Sequence, residues 1–253
     1  MSVHLYALTC GWLTGSLGGF LEGEDGRLRV PVPCFLIDHP RGKVLFDSGL
    51  HVETQHDPAA RLGWLAKLFD VEFRPGEEVA ARLARIDVDA GAVDYLVNSH
   101  LHFDHVGGNA AIPNARLIVQ RAEWQAGRDD DLVETNAYNP ADYDLGHDVH
   151  QIDGEHDLFG DGTVVCIPTY GHTPGHQSLR VRLPQREIVL TGDACYLRRT
   201  LEEMHLPAVV HNREAMLGSL RRLRQLQAAG AEIFYGHDPE FWATVPQAPT
   251  KIG

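Results

Sequence analysis

Several features that would place the chain in a membrane, nucleic-acid or disulfide-rich class are scarce or missing in its 253 residues. No apolar run reaches the roughly 20 residues that a membrane-spanning helix needs. Basic residues are few: the chain has 22 Lys and Arg but 35 Asp and Glu, which gives a formal net charge of −13. A surface this acidic repels phosphate backbones and anionic lipids. We therefore expect neither a nucleic-acid partner nor a membrane partner.

Cysteine is also scarce, and the four cysteines form no CxxC pair. Scattered thiols in a chain of this size are typical of core positions rather than of a disulfide framework. The apolar segment 3–8 has no basic residues before it and is followed by several glycines, which favours a first strand and loop over a signal peptide. No low-complexity linker or short repeat interrupts the sequence. These features predict a cytoplasmic protein with a single domain over residues 1–253.

The hydrophobic pattern predicts a mixed α/β chain with two similar, strand-rich halves. Segments rich in β-branched and aromatic residues predict strands over 3–8, 30–38, 43–47, 95–97, 117–119, 164–168, 178–183, 188–191 and 232–235. Helical spacing predicts helices over 77–86, 121–126 and 213–229, and an amphipathic lid within 50–75. The polar segment 127–146 is interpreted as a solvated loop.

Histidine, in contrast, is abundant, with 15 residues that fall partly in clusters. The run Ser99-His100-Leu101-His102-Phe103-Asp104-His105 directly follows the predicted strand 95–97. In an extended strand end, His100 and His102 project to the same side, and two imidazoles are half of a tetrahedral zinc site. Asp104 and His105 lie on the following turn, where they can face a second metal. This run therefore predicts a metal site.

Further ligand-type residues stand beside glycines where other predicted strands end. His172 and His176 lie in the run GHTPGH, Asp193 follows the strand 188–191, and His237 follows the strand 232–235. Loops at strand ends can converge on one site. Each of these residues alone would more often be structural, but together with the first cluster they favour a shared metal centre.

These motifs resemble the metallo-β-lactamase superfamily, over nearly the whole chain. The resemblance implies an αββα sandwich, classed as α/β or α+β, with a two-metal site at one edge. It further implies the ligands: for the first metal His100, His102 and His172, for the second metal Asp104, His105 and His237, and Asp193 as the bridge. Asp47 matches an early aspartate that would orient a ligand histidine, while His176 is left with a supporting or packing role.

Within the superfamily, three runs resemble the N-acyl homoserine lactone lactonases, which are quorum-quenching hydrolases. These runs are Ser99–His105 with Gly107-Gly108-Asn109, the run GHTPGHQS, and Gly192-Asp193-Ala194-Cys195-Tyr196. The resemblance implies that a hydroxide bridging the metals opens the lactone ring to an N-acyl homoserine. Tyr196 would hydrogen-bond the substrate, and Asp104 would carry a proton to the leaving oxygen.

The implied cofactors are two divalent metal ions, and the implied partner is a small acyl lactone. His and Asp ligands suit zinc, and iron, cobalt and manganese stay open. The acyl chain would need an apolar trough, for which ordinary core packing is an equally good explanation of each candidate: Phe103, Phe20, Leu13, Trp64 and Phe69. The oligomeric state is left as monomer or homodimer.

Two other functions remain open at this point. One is a different two-metal hydrolase of the same fold: an arylesterase, a thioesterase or a phosphotriesterase. The other is a non-catalytic metal-binding protein, which would have a saturated set of ligands with no open coordination position.

Overall fold

The computed structural model describes residues 2–253, and its strands form two sheets. The strands of the first sheet are β1 His4–Ser16, β2 Arg27–His39, β3 Gly42–Phe46, β4 Asp70–Glu72, β5 Tyr95–Val97, β6 Arg116–Gln120 and β7 Val149–Ile152. Their order is β4-β1-β2-β3-β5-β6-β7. The first four strands pair antiparallel, whereas β3, β5, β6 and β7 pair parallel.

The second sheet is smaller and has the order β12-β11-β10-β9-β8. Its strands are β8 His156–Asp157, β9 Val164–Pro168, β10 Gln177–Arg182, β11 Glu187–Leu190 and β12 Glu232–Phe234. Here β11 and β12 pair parallel, and the remaining pairs are antiparallel.

Short helices follow most strands, and one long helix lies near the end of the chain. The α-helices are α1 Leu17–Phe20, α2 Pro58–Leu62, α3 Val79–Ala84, α4 Phe103–Val106, α5 Arg121–Ala126, α6 Asp130–Thr135, α7 Arg198–Glu203, α8 Arg213–Ala228 and α9 Pro239–Trp242. Short 3₁₀ segments are Val52–Gln55, Gly63–Lys67, Ala90–Ala92, Asn109–Ala111, Pro140–Asp142 and Gly192–Ala194. No helix within residues 2–253 is long and apolar enough to span a membrane.

The alternation of side chains along the strands sorts the core into layers. One cluster joins the inner faces of the two sheets and includes Phe46, Val97 and Leu190. The outer face of the first sheet packs on α3 and α5, and the outer face of the second sheet packs on α7 and α8. The predicted αββα sandwich is therefore confirmed.

The parallel pairing brings several carboxyl ends of strands to one edge of the sandwich. The chain leaves β3 at Phe46, β5 at Val97, β11 at Leu190 and β12 at Phe234. Open sheets place their ligand-binding residues beyond such ends. The segments that follow these four strands carry most of the predicted metal ligands.

The prediction of a solvated loop over 127–146 is wrong. This segment contains α6 and a 3₁₀ turn, and it buries Tyr138, Asp142 and Tyr143. Tyr143 donates a hydrogen bond to the Gly127 carbonyl, and its ring packs edge-on against Trp124. The prediction failed because the segment is mostly polar, and the few side chains that point inward form no apolar pattern.

Candidate metal centre

The seven predicted ligands lie together in two adjacent groups, although they come from distant parts of the chain. His100 and His102 follow β5, and Asp104 and His105 lie on α4. The remaining three, His172, Asp193 and His237, lie in the loops after β9, β11 and β12. Within each group the ligand-type atoms are within 4.8 Å of one another.

The first group consists of His100, His102, His172 and Asp193. His102 Nδ1 lies 2.9 Å from His100 Nε2 and 3.0 Å from His172 Nε2. Asp193 Oδ2 lies 3.6 Å from His100 Nε2 and 3.3 Å from His172 Nε2. Ligand atoms bound tetrahedrally to zinc at about 2 Å lie about 3.3 Å apart, so these spacings fit a single ion.

The second group consists of Asp104, His105 and His237 and adjoins the other oxygen of Asp193. Asp104 Oδ2 lies 3.6 Å from His105 Nε2 and 3.7 Å from His237 Nε2. Asp193 Oδ1 lies 3.1 Å from His105 Nε2 and 3.0 Å from His237 Nε2. Asp193 thus presents one oxygen to each group, which is the arrangement of a bridging carboxylate.

The residues present fit a pair of divalent cations. Two of their buried atoms, His105 Nε2 and Asp193 Oδ1, have no hydrogen-bond partner within residues 2–253. Buried polar atoms are otherwise almost always paired, because an unpaired one costs about 1–3 kcal/mol. A cation between these two atoms would satisfy both. Imidazole and carboxylate are also the donor types that zinc and similar ions take.

Hydrogen bonds to the remote ring nitrogens orient most of the ligand histidines. His102 Nε2 lies 2.8 Å from the Asn136 carbonyl, and His237 Nδ1 lies 2.8 Å from the Pro31 carbonyl. His100 Nδ1 lies 2.9 Å from Ser99 Oγ, which itself donates to a carboxylate and can therefore accept from the ring. Each such bond leaves the lone pair of the other ring nitrogen facing the centre.

Asp47, the early aspartate of the resemblance, is hydrogen-bonded to His105. Its Oδ2 accepts from His105 Nδ1 at 2.9 Å and from Ser99 Oγ at 2.8 Å, and its Oδ1 accepts from the Ser99 backbone N–H at 2.7 Å. Asp47 itself has φ of +57°, a left-handed conformation that is strained for most residues other than glycine. In this conformation the Asp47 carboxylate, directly after β3, reaches Ser99 and His105 in the histidine run.

His176 supports Asp193 instead of joining either group. Its Nε2 accepts a hydrogen bond from the Asp193 backbone N–H at 3.0 Å, and its Nδ1 lies 2.9 Å from Thr169 Oγ1. Burial lowers the pKa of His176 to about 3, so the ring is neutral near pH 7. A neutral ring is required for the Nε2 lone pair to accept that bond.

Burial lowers the pKa of the histidines in the two groups, whereas the neighbouring carboxylates raise it. Burial lowers the pKa of His100 and His172 well below the ordinary value and also lowers the pKa of His102. These rings are therefore neutral and keep a nitrogen lone pair for a metal ion. At His105 and His237, burial is outweighed by Asp193 and its acidic neighbours, and the pKa rises. The second group therefore attracts positive charge, as a cation site does.

Tyr196 lies beside both groups. Its hydroxyl is 3.4 Å from His172 Nδ1, and its ring centroid is 5.5 Å from that of His237. Burial, together with Asp193 and Asp104, raises the pKa of Tyr196 well above its ordinary value. The phenol is therefore protonated near pH 7 and can donate a hydrogen bond.

Four of the five predicted pocket residues share an apolar cluster with Tyr196. Leu13 and Phe20 are buried in this cluster, and the partly buried Phe69 and Phe103 pack against it. The ring of Phe20 meets Tyr196 edge-on at 5.4 Å, and Phe69 lies 6.0 Å from Phe103. Trp64 differs, because it is 56% exposed and is not among the residues of this cluster.

Three residues that no sequence motif indicates lie around the first group. Asn136 supplies the carbonyl that orients His102, and the ring of Tyr138 lies 5.5 Å from the ring of His102. Tyr138 donates to the buried carboxylate of Glu123 at 2.6 Å. A glutamate on a short helix and an asparagine in a polar segment resemble surface residues, so no sequence signal marked them.

Comparisons with known proteins agree with the fold and the motifs. The profile of the Metallo-beta-lactamase superfamily matches residues 27–237. The N-acyl homoserine lactonase AttM of Azorhizobium caulinodans is 34% identical over 98% of this chain and 97% of its own length. An N-acyl homoserine lactonase of Bacillus cereus is 31% identical over 84% of this chain and 83% of its own.

A comparison with solved structures also supports this fold. An N-acyl homoserine lactone hydrolase, determined with N-hexanoyl-L-homoserine at its catalytic metal centre, superposes with a TM-score of 0.89. The two sequences are 28% identical, and the match covers 100% of both chains. Profile, relatives and fold thus agree over nearly the full length, and the chain belongs to the metallo-beta-lactamase superfamily.

Proposed function

We propose that the chain is a metal-dependent hydrolase that opens the ring of N-acyl homoserine lactones, and that the bound ions are two zinc ions. The observation that carries the proposal is the position of the Tyr196 hydroxyl beside a centre with two ligand groups and one shared carboxylate. Relatives named as N-acyl homoserine lactonases, similar over almost the whole chain, support the substrate class.

The seven ligands would hold the metals: His100, His102 and His172 the first, Asp104, His105 and His237 the second, with Asp193 between them. When bound, two divalent cations supply Lewis acidity and acidify water into a nucleophile near neutral pH. Asp47 keeps the His105 ring fixed, and the His176 ring keeps the Asp193 backbone fixed. Little reorganisation is then needed during the reaction.

Tyr196 and Asp104 are the residues that would act on the substrate itself. The protonated phenol of Tyr196 donates to the lactone carbonyl oxygen as negative charge develops there, or to the ring oxygen. The Asp104 carboxylate belongs to the second group, so it could take up the proton that the attacking water gives up and pass it to the departing alkoxide, which becomes the hydroxyl of the homoserine product.

The apolar cluster around Tyr196 would bind the acyl chain. Phe103 is flanked by metal-group residues on both sides, and Phe69 lies against its ring. Both side chains are partly exposed next to the centre, so they can cover a chain of methylene groups and exclude water from it. Trp64, which is exposed and outside this cluster, would contact only longer chains.

A lactone hydrolysis assay with a pH indicator tests the function directly. The purified chain is expected to release acid from N-hexanoyl homoserine lactone, to lose this activity on chelation, and to contain about two zinc ions. p-Nitrophenyl acetate and paraoxon serve as comparison substrates for the other hydrolase classes. Faster turnover of either comparison substrate, or no acid release by the zinc-loaded chain, would reject the lactonase proposal.

A further inference from the structure

We propose that Glu123 is the positioning residue of the first ligand group, and that its carboxylate fixes the loop of His100 and His102 against the loop of His172. This role rests on the proposed function, because it concerns the ligands of that metal centre. Glu123 lies on α5 and is not itself among the ligand-type groups. Its side chain is nevertheless completely buried at the junction of the two loops.

The carboxylate accepts four hydrogen bonds, divided between its two oxygens. Oε1 accepts from the Leu101 backbone N–H at 3.1 Å and from the Tyr138 hydroxyl at 2.6 Å. Oε2 accepts from Thr173 Oγ1 and from the Gly175 backbone N–H, both at 2.8 Å. Leu101 stands between two ligand histidines, and Thr173 directly follows the third.

Close packing provides a second and independent link between Glu123 and the His172 loop. A Cβ atom on Gly175 would lie 2.1 Å from the Glu123 backbone nitrogen, so only glycine allows this approach. The loop backbone therefore rests directly on the first turn of α5. The hydrogen bonds of Oε2 then hold it at that distance.

The second ligand group is oriented by other residues. Asp47 contacts His105, and the Pro31 carbonyl contacts His237, and neither is among the four donors that Glu123 binds. The shared ligand Asp193 is supported by His176. Weakening Glu123 should therefore loosen the hold on one metal and leave the other bound.

The substitution Glu123→Gln tests this asymmetry, because an amide nitrogen cannot accept the two bonds made by one carboxylate oxygen. Zinc release from the loaded protein to a chromogenic chelator is followed over time, and two ions per chain are expected from the unaltered protein. We expect one ion to leave Glu123→Gln at least tenfold faster than from the unaltered protein, and the second at an unchanged rate.

Asp142→Asn is the matched control, since Asp142 is also a buried carboxylate but pairs with Arg61 and with none of the ligand loops. It should lower the melting temperature while both ions leave at the original rates. If Glu123→Gln releases both ions at the original rates, or both faster to the same extent, the positioning role is rejected.

A second variant covers the case in which Glu123→Gln does not fold. Thr173→Val removes only one of the two hydrogen bonds that Oε2 accepts, and it should speed the release of one ion about threefold. Unchanged release would overturn the role. If the unaltered chain takes up no zinc, the proposed function fails as well. Two tightly bound ions that neither variant affects would reject the role of Glu123 alone.

Discussion

At the scale of single residues, the protonation states of the histidines and of the tyrosine at the centre are set by their surroundings. Burial keeps His100, His102 and His172 neutral, and the same burial keeps the Tyr196 phenol protonated. One physical effect, the cost of burying a charge, thus keeps the histidine rings and the tyrosine hydroxyl uncharged.

Replacing Tyr196 by Phe should lower kcat on N-hexanoyl homoserine lactone about 100-fold, because one donor to the developing charge is lost. The buried ring is retained, so the zinc content and the melting temperature should stay the same. Steady-state kinetics and metal analysis check these expectations. Tyr170→Phe, which removes a hydroxyl bonded to Gln120 away from the ligands, is the control. Full activity in Tyr196→Phe would contradict the proposed role.

The residues of the two ligand-type groups could be predicted one by one from the sequence, whereas several of the residues that contact them could not. The run from His100 to His105 has ligand-type residues at a spacing that few other sites need, and Asp193 and His237 follow strands that the pattern revealed. Glu123 has no such signature. Its role depends on four donors that come from three separate segments, and only the folded chain brings these segments together.

At the scale of elements, the buried ion pair between Arg61 and Asp142 connects α2 to the 3₁₀ turn Pro140–Asp142. Both side chains are largely buried, and Arg61 also lies 3.5 Å from Glu53 Oε2. Through this pair, the part of the chain that carries Trp64 and Phe69 is attached to the part that carries Tyr138. The pair therefore joins two segments that lie 81 residues apart in the sequence.

Asp142→Asn should destabilise the protein by about 3 kcal/mol, because it leaves the largely buried Arg61 charge with only the exposed Glu53 carboxylate beside it. Urea unfolding measures this change, and hydrogen exchange should become faster over residues 58–67. Asp144→Asn is the control, since its pair with Arg128 is about half exposed and should contribute less than about 1 kcal/mol. Equal stability of the two variants would contradict this view of the pair.

The bounds of some strands and helices could be predicted from the sequence pattern alone, and others could not. The strands β5 and β9 and the helix α5 coincide with the predictions, because short apolar or amphipathic runs are bounded there by polar residues. In contrast, β1 extends from His4 to Ser16, well past the predicted end at residue 8. Its glycines interrupt the apolar pattern, yet the strand continues through a register shift between Thr9 and Trp12.

At the scale of the whole molecule, the metals should contribute to stability as well as to chemistry, since the ligands come from both sheets. Removal of the ions should lower the melting temperature by about 10 °C, which corresponds to about 4 kcal/mol for a chain of this size. Differential scanning calorimetry with and without a chelator measures the shift, and the zinc-saturated chelator is the control. An unchanged melting temperature would show that the centre forms without ions. The single domain over 1–253 stays a prediction.

The order of the ligands along the chain has a consequence for biosynthesis. His237 is separated from His100 by more than half of the sequence, and it follows every other ligand. A ribosome must therefore have made the chain as far as His237 before all the residues of the second group are present. Metal loading of the second group would then wait for His237, and products that terminate before this residue would lack one of the seven predicted ligands.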